Sequence, residues 1–170
     1  MRRKLVWITG LSGAGKTTAA KQVFAMIKER SPNTVMLDGD DFREVFDGDL
    51  GYGVDDRIKN ARRIVKMCGY LCAQDMNVVC ATMSLYREIH EFIYENFEDP
   101  LVVFLDVSMN ELKKRNKKNL YSGGVDVSGV DQAFDEPRHG KYVMKINNTG
   151  DLSLTVNKIM ERIKYYDTEI

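Results

Sequence analysis

Histidine, cysteine and any surplus of charge are what this 170-residue sequence lacks. Lys plus Arg and Asp plus Glu each number 25, so there is no net basic field to hold a nucleic-acid backbone or an anionic membrane, and basic clusters must be read as small local sites. The three cysteines, Cys68, Cys72 and Cys80, cannot all pair within the chain, and a reducing compartment would keep them as thiols. Cys68 and Cys72 have a helical spacing that suits a metal, but no His or Cys joins them, and His90 and His139 fall in no ligand pattern. The thiols are therefore expected as small buried hydrophobes. The basic start Met1-Arg2-Arg3-Lys4 leads into an apolar stretch that stops almost at once, so no secretory, transmembrane or lipidation segment is expected and the cytoplasm is the expected compartment.

What is present has the profile of a soluble enzyme: 44% hydrophobic and 29% charged residues with no biased tract. The length predicts a single domain over residues 1–170. Gly10-Leu11-Ser12-Gly13-Ala14-Gly15-Lys16-Thr17 fits the phosphate-binding pattern G-x-x-x-x-G-K-[ST] at every fixed position. Its surroundings agree, with the apolar run Leu5–Ile8 reading as a strand before it and Thr18–Ile27 as a helix after it. In such a loop the glycines turn successive N–H groups inward around phosphate oxygens, and the new helix adds the positive end of its dipole. Gly10, Ser12, Gly13, Ala14, Gly15, Lys16, Thr17 and Thr18 are thus expected to bind ATP. Lys16 should reach the β- and γ-phosphates, and the Thr17 hydroxyl should take a place on Mg²⁺.

Strand and helix signals then alternate. Thr34–Leu37, Val78–Met83, Leu101–Leu105 and Tyr142–Ile146 read as further strands, and the three-to-four spacing of Ile58, Ala61, Val65, Cys68 and Cys72 predicts a helix over 56–74. A last helix over 152–165 would use Leu154, Ile159 and Ile163 as core contacts. The predicted fold class is α/β, a P-loop kinase fold with a five-stranded parallel sheet, helices on both faces and a short lid. Ligands gather at the carboxyl ends of such strands. There stand the P-loop, Asp38 and Asp40, Ser84 with Tyr86 and Arg87, and Asp106. Asp38-Gly39-Asp40 brings two carboxylates toward the phosphates, one to orient hydrated Mg²⁺ and one to take the proton of an attacking hydroxyl. Arg43 would clamp an anionic acceptor. Whether Asp38 or Asp106 supports the metal is open at this level.

These residues resemble those of the adenylylsulfate (APS) kinase family. The resemblance rests on Gly10 through Thr18, Leu37-Asp38-Gly39-Asp40 with Arg43, Asp56-Arg57 with Asn60 and Arg62-Arg63, Ser84 with Tyr86-Arg87, and Lys118-Asn119-Leu120-Tyr121, all in family order. It implies transfer of the γ-phosphoryl of ATP to the ribose 3′-hydroxyl of a nucleotide whose 5′ side carries a modified phosphate. It also implies Asp40 and Lys16 as catalytic groups, and Arg43, Arg57, Asn60, Met83 and Ser84 as the acceptor's contacts beside Asp40. Arg115 would reach the ATP phosphates, and a homodimer would be common among similar enzymes. Arg57 and Asn60, three apart, are expected on one helical face opposite the apolar stripe.

One segment departs from the family. Where relatives carry a longer basic lid and an aromatic that stacks on the acceptor adenine, this chain has Ser122-Gly123-Gly124-Val125-Asp126-Val127-Ser128, with no basic residue and Val127 in the aromatic's place. Losing a stacking ring costs on the order of 1–3 kcal/mol per base, and losing cations weakens the grip on a sulfate-bearing group. The chain also resembles relatives within the family that act on cytidine diphosphoramidate, a smaller pyrimidine nucleotide ending in an amide nitrogen and used in capsule modification; that resemblance makes it the expected acceptor, and the short, non-basic lid is compatible with it. Adenylylsulfate is the alternative. A regulatory GTPase would need Asn-Lys-x-Asp, and the nearest match, Asn116-Lys117-Lys118-Asn119, ends in the wrong residue. A non-catalytic P-loop module would not need Asp40, and a sugar kinase would not account for Arg57 and Asn60 together with Arg43.

Overall fold

Leu5-Val6-Trp7-Ile8-Thr9 forms the central strand β1 (Leu5–Thr9), in which every residue is buried. Val6 and Ile8 face one helical layer, Leu5 and Trp7 the other. Burial on both faces is why the strand reads as an unbroken apolar run instead of an alternating one. A computed structural model describes residues 4–115, 134–138 and 140–168. After β1 come α1 (Lys16–Lys28), β2 (Thr34–Asp38), α2 (Gly39–Val45), α3 (Val54–Ala73), β3 (Asn77–Ala81), α4 (Arg87–Asn96), β4 (Leu101–Asp106), α5 (Met109–Arg115), β5 (Val143–Asn147) and α6 (Leu152–Thr168). The strands form one parallel sheet in the order β2-β3-β1-β4-β5. The fold class is thus α/β, as the strand–helix alternation predicts.

Two cores hold the layers. On one face Val6, Ile8, Val79 and Val103 pack with Ala19, Ala20, Val23 and Ile27 of α1 and with Val156, Ile159, Met160 and Ile163 of α6. On the other, Leu5, Trp7, Val78, Cys80 and Val102 pack with Ala61, Ile64, Val65 and Cys68 of α3 and with Ile89 and Ile93 of α4. Cys68 and Cys80 are buried and all three thiols are free, while burial pushes the half-buried Cys72 thiol up to about 12. Among the described residues no group of three or more His, Cys, Asp or Glu side chains could hold a metal. No helix among them is long and apolar enough to cross a membrane.

Several local expectations change. The sequence reading does not delimit α2, α4 and α5, because helices of 7, 10 and 7 residues span too few turns for a spacing pattern to set their bounds. β3 ends at Ala81, two residues before the expected Met83, since its partner β2 gives way to α2 directly after Asp38 and leaves no ladder to continue. Leu154 is exposed, not a core contact; the inward stripe of α6 runs through Val156, Ile159, Met160 and Ile163, and Leu154 lies two residues from its start, across the helix. The stretches Lys118–Tyr121 and Ser122–Ser128 with Val127, on which the lid expectation rests, lie outside the described residues.

This packing separates two substitutions on one helix. Ile159→Ala, at a fully buried position, should cost about 2–5 kcal/mol, whereas Leu154→Ala should stay within about 0.5 kcal/mol. Urea unfolding midpoints at unchanged m-value measure both.

Candidate active site

Because β1 lies mid-sheet between β3 and β4, the loop that leaves it occupies the centre of the carboxyl edge. Gly10, Gly13 and Gly15 have φ of 152°, 79° and 93°. Gly15 is the decisive one: it is the left-handed N-cap of α1, and a Cβ there would stand 2.8 Å from Asn148 Nδ2. The loop closes on itself as Ala14 N–H donates to the Leu11 carbonyl at 3.1 Å. Lys16 Nζ donates to the same carbonyl at 2.9 Å, so the ammonium is held across its own loop. Ser12 is half-buried, while Gly13, Thr17 and Thr18 are exposed.

Thr17 faces the end of β2. Its hydroxyl donates to Asp38 Oδ2 at 2.6 Å, while Asp38 Oδ1 caps α2 by accepting from the Asp40 N–H at 2.9 Å. Asp40 is held, exposed, in the first turn of that helix. The intervening Gly39 is required by contact, not by φ: a Cβ would meet the Thr82 hydroxyl at 2.9 Å. Asp106, the other acid weighed for a metal, has Lys145 Nζ at 3.3 Å, and Glu136 holds the same ammonium at 2.8 Å. The hydroxyl and carboxylate oxygens that suit a hard divalent cation therefore meet at Thr17 and Asp38.

Arg43 and Arg57, two of the residues expected to contact the acceptor, meet at a ring that the sequence reading does not single out. Tyr52, 62% exposed, lies beneath both the Arg43 guanidinium, 4.8 Å from its centroid, and that of Arg57, at 5.5 Å. Arg43 also donates to the Leu50 and Gly51 carbonyls, and Arg57 Nε to the Tyr52 carbonyl. A two-pronged Arg63–Asp49 ion pair, both contacts 2.8 Å, ties the same loop to α3. The half-buried Tyr86 phenol belongs to this field: burial pushes its pKa up, opposed by the charges of Arg57 and Arg43. The sequence signal for Tyr52 is an aromatic between two glycines, with no apolar periodicity to draw it into a core.

Arg57 and Asn60 do not lie opposite the apolar stripe. Arg57 precedes Ala61 by one turn and Ile64 by two, and Asn60 precedes Ile64 by one turn and is itself buried. They continue the inward face at the start of α3, where the helix overhangs the carboxyl edge. Ser84 is also buried, its hydroxyl 2.9 Å from that of Thr82, and the Met83 carbonyl accepts from Leu85 N–H at 2.7 Å. Arg115 pairs with Glu111 Oε1 at 3.3 Å and donates to the Asn148 carbonyl at 2.8 Å.

A sequence model of the adenylylsulphate kinase family matches residues 2–145. The chain belongs to that family. It is 33% identical over 138 residues to the cytidine diphosphoramidate kinase of Campylobacter jejuni subsp. jejuni serotype O:2, covering 78% of this chain and 81% of that protein. It is 34% identical over 174 aligned positions to an adenylyl-sulfate kinase of Pseudomonas aeruginosa, covering 98% and 87%. The fold superposes with a TM-score of 0.78 on the Mycobacterium tuberculosis APS kinase in complex with AMPPNP and APS, at 22% identity, covering 96% of this chain and 98% of that one. The chain is accordingly a kinase, a phosphotransferase acting on a hydroxyl group.

The wall of the site carries a titration. His90 is buried in α4 with Nε2 3.1 Å from the Ser84 carbonyl; a carbonyl only accepts, so Nε2 carries the proton of a neutral ring. Burial lowers its pKa from 6.5 to about 4. The unfolded chain therefore takes up a proton near pH 6.5 that the folded chain refuses until about pH 4, and stability falls as pH drops through that window. Thermal melts should show this loss, and His90→Gln, which keeps a donor but cannot titrate, should flatten it between pH 6.5 and 4.

Proposed function

We propose that this kinase transfers the γ-phosphoryl group of ATP to the ribose 3′-hydroxyl of a nucleotide with a modified 5′-phosphate, with cytidine diphosphoramidate as the acceptor, as a single domain over residues 1–170. The observation that carries the reading is the convergence of Arg43, Arg57 and the Tyr52 ring beside the Asp38-Gly39-Asp40 turn. Two guanidiniums suit a diphosphate, and an exposed ring suits a base. On the donor side the loop Gly10–Thr18 holds the ATP phosphates. Thr17 and Asp38 would hold Mg²⁺, which when bound neutralises charge on the β- and γ-oxygens.

Asp40 accepts the proton of the 3′-hydroxyl as its oxygen attacks the γ-phosphorus and the bond to the β-bridging oxygen breaks. Lys16 stabilises charge on the transferring oxygens. Asn60 and the Met83–Ser84 segment form the inner wall of the acceptor pocket, with the Ser84 hydroxyl oriented by Thr82. Support for the cytidine nucleotide comes from the segment Ser122–Ser128, free of basic residues, and from the similarity to the Campylobacter kinase. The rival acceptor, adenylylsulfate, is favoured by the longer alignment with the Pseudomonas relative.

Three measurements test the reading. Lys16→Ala should abolish turnover in a folded protein. Asp40→Asn should lose orders of magnitude in kcat with ATP affinity little changed, and a variant with weak ATP binding but normal saturated turnover would move Asp40 to the metal. For the acceptor, kcat/KM for cytidine diphosphoramidate and for adenylylsulfate should be compared at one ATP concentration, reading the new 3′-phosphate. The cytidine nucleotide should win, with Arg43 and Arg57 required. A tenfold advantage for adenylylsulfate, about 1.4 kcal/mol of transition-state binding, would assign this chain to the rival acceptor.

A further inference from the structure

Asn148 stands just past the end of β5, outside every motif of the sequence, yet it is 4% exposed and all its polar groups are engaged. Its backbone N–H donates to the Asp106 carbonyl at 3.0 Å. Its carbonyl accepts from Arg115 Nη2 at 2.8 Å. Its side-chain Oδ1 accepts from the Thr155 hydroxyl at 2.8 Å, and its Nδ2 donates to the Ala14 carbonyl at 2.7 Å. One residue therefore joins the end of β4, the first turn of α6, the last residue of α5 and the P-loop.

The bond to Ala14 has a directional consequence. In a trans peptide the C=O and N–H lie in one plane and point in opposite directions. Drawing the Ala14 carbonyl back toward Asn148 turns the Gly15 N–H the other way, toward the mouth of the loop, where donors to phosphate are needed. The Ala14 carbonyl only accepts, so it selects Nδ2 as the end of the amide that faces the loop, and the Thr155 hydroxyl holds Oδ1 from the other side. The bare Cα of Gly15 leaves room for that amide.

We propose that Asn148 is a positioning residue of the ATP site: it sets the orientation of the Ala14–Gly15 peptide and seats Arg115 on the same mount. The inference rests on the ATP-binding reading of the loop, and it acts before any acceptor enters. Its test is accordingly equilibrium binding of ATP with Mg²⁺ alone, by calorimetry on the full chain.

Asn148→Asp keeps the shape but sets a carboxylate oxygen against the Ala14 carbonyl and near the phosphates. It should weaken ATP binding at least tenfold at pH 7.5. Lowering the pH should recover part of that loss relative to wild type, since a protonated carboxyl donates as the amide did. In turnover the ATP KM should rise while the acceptor KM stays within about twofold, a split that general loosening of the fold would not produce. Wild-type ATP affinity in a folded Asn148→Asp protein, or a loss that pH leaves untouched, overturns the proposal. Should that variant fail to fold, Thr155→Val decides, because it keeps Nδ2 and removes only the group that anchors the far end of the amide: weakening of about threefold or more supports the role, and unchanged affinity refutes it. Wild-type protein that fails to bind ATP would instead overturn the donor-site reading and this inference with it, an outcome distinct from equal binding by wild type and variant.

Discussion

Every functional group in this molecule is placed by the burial of β1 on both faces and both edges. Four neighbours surround it: two parallel strands satisfy its backbone, and two helical layers cover its side chains. A strand so enclosed cannot shift register without driving Trp7 and Val6 into each other's layers and breaking two ladders. The loop leaving it is held at its root, and a phosphate-binding loop needs that fixity because its donors are backbone groups whose direction follows the chain.

The electrostatics divide along the carboxyl edge. Toward β5, Asp106 and Glu136 share the ammonium of Lys145, which leaves that trio one net negative charge. Toward β2, the carboxylates of Asp38 and Asp40 share an edge with the cations of Arg43 and Arg57, whose guanidiniums contact the Tyr52 ring and backbone carbonyls. Such contacts hold an arginine in place without cancelling its charge. Under the proposed function, the cations serve an anionic acceptor at one edge of the sheet and the loop a nucleoside triphosphate at its centre.

Much of this was legible from the residues. The P-loop, the strands β1, β2 and β4 to within a residue, the long helix α3 and the acid pair after β2 follow from pattern and composition, and the family resemblance agrees with the match over residues 2–145. Where the reading failed, local periodicity met a tertiary boundary. Arg57 and Asn60 look like a polar face until α3 is seen to overhang the sheet edge, where the inward direction at Arg57 leads toward Tyr52 and Tyr86 instead of the core. Leu154 looks like core until the facing surface of the sheet and α1 chooses the stripe through Val156 and Ile159. Tyr52 and Asn148 carry no spacing signal, since a single side chain between glycines or at a strand end has no period.

The sequence by itself determined the class of chemistry and the fold that carries it. Those depend on near-neighbour patterns: a glycine-rich loop between an apolar strand and a helix, and runs whose length and spacing specify strand or helix. Only the tertiary structure decided which acid meets Thr17, which ring the two arginines share and which asparagine braces the loop. The first and last of those contacts join residues far apart in the chain, 21 positions for Thr17 and Asp38 and 134 for Ala14 and Asn148. Such pairs meet only after the sheet order has brought the strand ends together, and nothing in the local sequence encodes that distance.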